Sequence, residues 1–218
     1  MSDDIRDEFG PAEVERREEI YDGLRWDLRA DAVRLHNGEV VRREYLVHPG
    51  AVGIIALDDE DRVLLVKQYR HPAGHYLWEP PAGLMDSAGE SALATAKREL
   101  YEEAGCVAEH WNVLLDWFNT PGGSTEAFRC FLARGVAEHS DGRPQRGAEE
   151  ADMPLRWVPL ADAIKSVMAG DFQNPTAAAG LLAAGTARGQ DWEGLRSGDA
   201  PWPVRERLLE SDRVWLPN

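Results

Sequence analysis

From position 24 the chain alternates apolar and polar residues. Leu24, Trp26, Leu28, Ala30 and Ala32 are interleaved with Arg25, Asp27, Arg29 and Asp31, the period of two expected of a strand with one buried face. Asn37-Gly38 supplies the positive φ angles of a tight hairpin, and residues 40–47 return as the partner strand. Residues 14–21 mix Val, Ile and Tyr with charges, a pattern open to an edge strand or a short helix, of which the strand is favoured. Residues 13–48 thus predict a small antiparallel sheet. Three strands with one apolar face rarely stand alone, so this sheet is expected to pack on the main domain or on a second subunit.

His48-Pro49-Gly50 marks a boundary, after which the apolar run Ala51–Leu57, the acidic turn 58–61 and the run Arg62–Arg70 predict a second hairpin. Residues 71–89 hold Pro72, Gly74, Pro80, Pro81, Gly83 and Gly89, which predicts no regular structure. Residues 90–104 are rich in Ala, Leu, Glu and Arg and form the strongest helical segment, with Gly105 as its left-handed stop. Strands are predicted over 107–118, 127–132 and 155–158, and a polar, acidic loop over 136–151. A helix is expected over 160–169, and a second, small-residue helix is opened by Asn174-Pro175. The last 30 residues, with Trp192, Trp202 and Trp215, carry no readable period. This divides the chain into an N-terminal sheet segment (1–48), a main α/β domain (49–185) and a tail (186–218).

Charge narrows the function. Twenty-four basic against 39 acidic side chains give a net charge of −15, which repels a nucleic-acid backbone. The same field opposes a phosphorylated small molecule, so an enzyme acting on one needs cations at its site. The acidic opening MSDDIRDE lacks the basic and apolar parts of a secretory signal, and no apolar run approaches the roughly 20 residues of a membrane span. Cys106 and Cys130 form no C-x-x-C pair and are expected to be buried, reduced thiols of a cytoplasmic protein.

On the strong helix, Glu99, Glu102 and Glu103 stand at i, i+3 and i+4, which places three carboxylates on one face. Such a cluster is either a solvated acidic face or a seat for a hard divalent cation, which binds through carboxylates, waters and phosphate oxygens. The spacing beside it is specific: Gly83, six residues, Glu90, seven residues, then Arg98-Glu99-Leu100-Tyr101-Glu102-Glu103-Ala104-Gly105-Cys106. This segment resembles the Nudix box of hydrolases that cleave nucleoside diphosphates linked to another group. It departs from the usual box by one extra residue between Gly83 and Glu90, which falls in the loop, and by Cys106 in place of an aliphatic residue. Neither departure removes a ligand.

The resemblance implies a Nudix α/β/α sandwich around a mixed sheet, with the N-terminal antiparallel sheet exchanged across a homodimer. It implies Glu99, Glu102, Glu103 and the Ala82 carbonyl as ligands of two or more Mg²⁺ or Mn²⁺ ions, Arg98 as their orienting partner, and Glu90 as a structural tie. Lys67-Gln68-Tyr69-Arg70, Leu77-Trp78-Glu79, Pro81-Ala82-Gly83-Leu84, Pro121-Gly122 (Pro121 lying 16 residues beyond Gly105) and Glu149-Glu150-Ala151-Asp152-Met153 are similar to the ADP-ribose pyrophosphatase subfamily. Pro80 departs from the usual aliphatic residue after Glu79. By this likeness the reaction is Mg²⁺-dependent hydrolysis of ADP-ribose to AMP and ribose 5-phosphate. Glu150 is then the catalytic base and a further metal ligand, with Glu149 its rival, and Trp26, Glu44, Arg70 and Leu84 contact substrate. For Trp26, burial under the sheet stands against stacking on adenine; for Arg70, a surface arginine stands against a phosphate contact; Glu44 is balanced between strand decoration and adenine. Hydrolysis of another nucleotide sugar such as GDP-mannose, and a non-catalytic sensor of the same fold, are the alternatives.

Overall fold

The computed structural model describes residues 5–144 and 153–217. Two sheets organise them. Strands β1 (Glu13–Tyr21), β2 (Asp27–Arg34) and β3 (Val40–Val47) form a three-stranded antiparallel sheet in that order. The main sheet is built from β4 (Ala51–Leu57), β5 (Arg62–Arg70), β6 (His75–Glu79), β7 (Ala82–Leu84), β8 (Cys106–Phe118), β9 (Ala127–Glu138), β10 (Leu155–Pro159) and β11 (Arg196–Ser197). Its order is β10-β5-β4-β9-β8-β11, with β6 on β5 and β7 on β4. The central pair β4–β9 is parallel and the other pairs are antiparallel, so the sheet is mixed.

Strand β4 explains why its sequence is uniformly apolar: all seven residues are buried, because helices cover both faces of the sheet. Val52, Ile54 and Ala56 join Leu64 and Phe131 under helix α1 (Ala92–Ala104) and helix α4 (Pro203–Glu210). Ala51, Ile55 and Leu57 face the other way, with Leu65, Cys130 and Leu132, against α2 (Leu160–Ala169) and α3 (Pro175–Arg188). The small residues of α3 let it lie close to the sheet. A Cβ on Gly180 would stand 2.8 Å from Ile55 Cδ1.

Three sequence expectations change. Residues 71–89 are not devoid of regular structure: β6 and β7 pair with β5 and β4 there, because Pro80 and Pro81 fall between the strands and leave their ladders intact. The tail contains α4 and β11, and its Trp202, Leu208 and Val214 are buried in the core beneath α1. Arg129, only 2% exposed, pairs with Asp116 at 2.8 Å and donates to the carbonyls of Ala200 and Pro201. In the N-terminal sheet, the charged side of β2 is covered as well as the apolar one, Asp27 and Asp31 being buried along with Ala30. Asp31 accepts from Arg17 and from the Tyr45 hydroxyl, and Arg17 and Arg29 both reach Asp212 of the tail. Burial pushes the Asp31 carboxyl up, but Arg17 and Tyr45 hold it below the ordinary range.

Candidate active site

Helix α1 starts where its capping chemistry permits, at Ala92, with the Ser91 hydroxyl accepting from Ala94 N; it does not begin at position 90. Glu90, just outside, accepts from Thr95 Oγ1 at 3.0 Å and takes a two-pronged bond from Arg98, Nε to Oε1 at 3.1 Å and Nη2 to Oε2 at 3.0 Å. Arg98 holds the Glu90 carboxyl below the usual carboxylate range. Glu90 therefore ties the preceding loop to the helix. The other terminal nitrogen of Arg98 donates to Glu99 at 2.6 Å and Glu102 at 3.2 Å. One guanidinium thus offsets the mutual repulsion of the helix carboxylates.

The solvated-face reading does not survive for two of the three glutamates, since Glu99 and Glu103 are buried. Their burial has a specific cause: the loop Pro81-Ala82-Gly83 is laid across them. Glu103 Oε2 accepts from Ala82 N at 3.0 Å. Gly83 lies directly under Glu99, where a Cβ would stand 2.2 Å from both Cδ and Oε1 of that side chain. The glycine is thus required for clearance, not for a turn. The loop is held from behind as well, by Ile54 N on the Pro81 carbonyl (2.8 Å) and Met85 N on the Gly50 carbonyl (3.0 Å).

The glutamate carboxylates are hard-oxygen donors, of the kind that suits a divalent cation such as Mg²⁺. Among the described residues, no three His, Cys, Asp or Glu groups converge closely enough to hold an ion by themselves. Few protein ligands suit a cation that keeps several waters and takes its remaining oxygens from a phosphate substrate. Gly105 ends the helix with φ +66°, and the chain at Arg143 passes so close that any Cβ there would clash.

The remaining sequence candidates are placed as follows. Arg70, at the end of β5, pairs with Glu79 at the end of β6, Nη2 to Oε1 at 2.6 Å and Nε to Oε2 at 3.2 Å. Leu84 closes β7 beside Gly83 and is half-buried. Trp26 does not lie under the sheet. It sits just before β2, 42% exposed and stacked on the His48 ring at 5.9 Å between centroids, because the chain bends at residues 24 and 25 before the strand begins. Arg25 next to it approaches Asp86 at 3.9 Å, which links the Trp26 turn to the box loop. Glu44 lies on β3, exposed, with Arg42 as its partner at 3.1 Å. Glu149 and Glu150 lie outside the described residues.

Sequence reasoning missed Glu79, Asn174 as more than a cap, His48 and Arg205. Arg205 of α4 donates to the carbonyls of Pro49 and Met85, and burial lowers its pKa. His48 Nδ1 accepts from Gly50 N at 3.0 Å, and burial pushes its pKa down. The one available signal was Glu79 within Leu77-Trp78-Glu79, already similar to the subfamily; the others depend on long-range packing.

The NUDIX domain model matches residues 47–178. The chain is 47% identical over 166 residues to an ADP-ribose pyrophosphatase of Mycobacterium tuberculosis, covering 76% of this chain and 79% of that one. It is 35% identical to an ADP-ribose pyrophosphatase of Bacillus subtilis, covering 69% and 80%. A crystal structure described as an ADP compounds hydrolase superposes with a TM-score of 0.68 at 22% identity, over 85% of this chain and 98% of its own, a likeness of fold. Nudix hydrolases generally need divalent metal ions. With a loop-helix-loop built as the motif demands and relatives matched over most of their length, the chain belongs to the NUDIX domain family.

Proposed function

We propose that this protein hydrolyses the pyrophosphate of ADP-ribose, giving AMP and ribose 5-phosphate, with Mg²⁺ as the working cation. The observation that carries the reading is the packing of Pro81-Ala82-Gly83 onto Glu99 and Glu103, in a chain 47% identical to an ADP-ribose pyrophosphatase. Glu99, Glu102, Glu103 and the Ala82 carbonyl would hold two or more ions. Bound there, the ions would offset the charge of the diphosphate and acidify a water. Arg98 keeps the glutamates at fixed spacing. Arg70 presents a cation to the phosphates. Glu150 would be the residue to take the proton of the attacking water and would lend an oxygen to a bound metal.

Trp26, exposed and backed by His48, offers a ring for adenine, with Glu44 and Leu84 as further substrate contacts. The N-terminal sheet exposes Ile20, Tyr21, Val40 and Leu46, apolar surface suited to a homodimer in which this sheet is exchanged. Both cysteines are free and buried, as befits the cytoplasm, and the net charge of −15 disfavours nucleic acid as a partner. Among the described residues, no helix is long and apolar enough to cross a membrane.

Initial rates on ADP-ribose, GDP-mannose, NADH and diadenosine polyphosphates with Mg²⁺ test the reading. ADP-ribose should give the highest kcat/KM. A higher value on GDP-mannose would move the assignment to another nucleotide sugar, and no turnover of any of the four would favour a sensor.

A further inference from the structure

The buried partner of Arg70 is itself held by a residue almost a hundred positions downstream. Glu79 is 2% exposed, and burial pushes its pKa above the ordinary carboxylate range, opposed by Arg70. A carboxylate so placed needs all its lone pairs met. Arg70 supplies Nη2 to Oε1 and Nε to Oε2. Asn174 Nδ2 donates to Oε2 as well. Because Arg70 spends the Nε and Nη2 side of its planar fork on Glu79, its Nη1 edge is turned the other way, and its side chain is 43% exposed.

Asn174 cannot choose how to face Glu79. It is the N-cap of α3, and its Oδ1 accepts from Thr176 N at 2.8 Å and Ala177 N at 3.1 Å. With the oxygen committed to the helix, the NH₂ must point at the carboxylate. Turning the amide over would set oxygen against carboxylate and NH₂ against N–H. The helix end carrying Asn174 is fixed too: Thr176 Cγ2 fills the space a Cβ would need on Gly53, only 2.6 Å away, and Gly53 pairs with Ala82. The cap of α3, the β4 and β7 strands and the Arg70–Glu79 pair are therefore one rigid unit.

The geometry points to Asn174 as a positioning residue for substrate binding: through Glu79 it fixes the aim of the Arg70 guanidinium at the substrate. This rests on the reading of Arg70 as a substrate contact. A cap alone explains the bonds to Thr176 and Ala177. It does not explain why the other half of the amide is spent on a buried carboxylate, a bond that serine, an equally good cap, could not make.

The experiment separates capping from positioning. Asn174→Ser keeps an acceptor for the helix N–H groups and loses the donor to Glu79. Its KM for ADP-ribose, measured on the folded variant, should rise roughly tenfold, the scale of one hydrogen bond to a charged group, with kcat within about twofold, while the melting temperature falls by several degrees because a bond to a buried charge is lost. Glu79→Gln should shift KM in the same direction. Asn174→Asp keeps the cap but sets a second carboxylate against Glu79 and should raise KM further; adding Glu79→Gln restores one carboxylate and one amide to the pair, and KM should fall back. The double variant Arg70→Ala with Glu79→Gln removes both charges of the buried pair, and its KM tests Arg70 itself. A wild-type KM there would sink the substrate role of Arg70 and the proposal with it. A raised KM there, with Asn174→Ser and Glu79→Gln both within twofold of wild type, would overturn the positioning role and leave Arg70 standing.

Discussion

Gly83→Ala isolates the metal-binding geometry from the chemistry of its ligands, because it adds one methyl group and removes no oxygen. The added carbon would stand 2.2 Å from Cδ and Oε1 of Glu99. To move from 2.2 Å to the 3.4 Å edge of ordinary contact, the carboxylate must retreat by about 1.2 Å. A metal ligand is misplaced beyond about 0.2 Å, and a misplacement of about 1 Å at a reacting centre can cost about 10² in rate. The backbone offers no objection, since Gly83 is not among the residues with positive φ. Folding should lose only what it takes to push one side chain off its rotamer, about 0.5–1.5 kcal/mol, or roughly 1–6 °C in melting temperature for a chain of this size. The expected variant is thus folded, with kcat/KM for ADP-ribose down about 10²-fold or more and a higher half-saturating Mg²⁺. Steady-state rates across a Mg²⁺ titration, paired with a thermal melt, measure both. A folded variant with kcat/KM within threefold of wild type and unchanged Mg²⁺ dependence would refute the placement of Glu99 in the metal shell.

Other expectations follow from individual contacts. Glu103→Gln keeps an oxygen to accept from Ala82 N, so it should melt near wild type while kcat falls by orders of magnitude; near-normal turnover would remove Glu103 from the metal set. Glu150→Gln should lower kcat by roughly 10² or more with KM changed less, the scale of general base catalysis, and Glu149→Gln should be mild; reversed effects would exchange their roles. Arg129→Met leaves two tail carbonyls without their buried donor and Asp116 with Arg196 as its remaining partner, which should cost about 1–3 kcal/mol in urea unfolding; a loss below about 0.5 kcal/mol would mean the tail is held without it. Burial depresses the His48 pKa below 6.5, so the unfolded chain takes up the proton first. Its contribution to stability is present above pH 6.5 and is lost as pH falls from there through the folded value. Wild type should therefore lose stability relative to His48→Phe across that window, and a flat difference would contradict the assignment.

How much the sequence disclosed depended on the range of the interactions. Helix α1 was legible because its cap, its composition and Gly105 lie within 15 residues of one another, and β4 was legible because seven consecutive apolar residues admit few other fates. The carboxylate face of α1 was legible as spacing alone. That Glu99 and Glu103 are buried was not, since burial comes from the loop laid over them. The alternation from Leu24 marked the strand and its buried Ala30 but not the burial of Asp31 on the other side, which comes through partners on other elements, Arg17 and Tyr45, of which local hydropathy carries no trace. In the tail, Trp202 is buried under Arg129, whose guanidinium lies 4.7 Å from the ring centroid. A tryptophan fixed by an arginine 73 positions earlier leaves no period to read.

That same long-range pairing indicates why a tail of no evident pattern belongs to the catalytic unit. Arg205 of α4 donates to the carbonyls of Pro49 and Met85, and Met85 N is bonded to the Gly50 carbonyl, so one guanidinium closes the seam between the start of β4 and the end of the box loop. Met85 follows the Ala82–Leu84 strand directly. On the other side, Asn174 and Thr176 of α3 press on Glu79 and Gly53. The loop that must hold a carbonyl and two glutamates in register is thus gripped by the tail helix on one face of the sheet and by α3 on the other. A chain carrying a charge of −15 gains nothing from its general field when it meets a diphosphate; attraction has to come from a few cations held in place. On the proposed reading, rigidity at this loop would let so acidic a protein concentrate positive charge at one point.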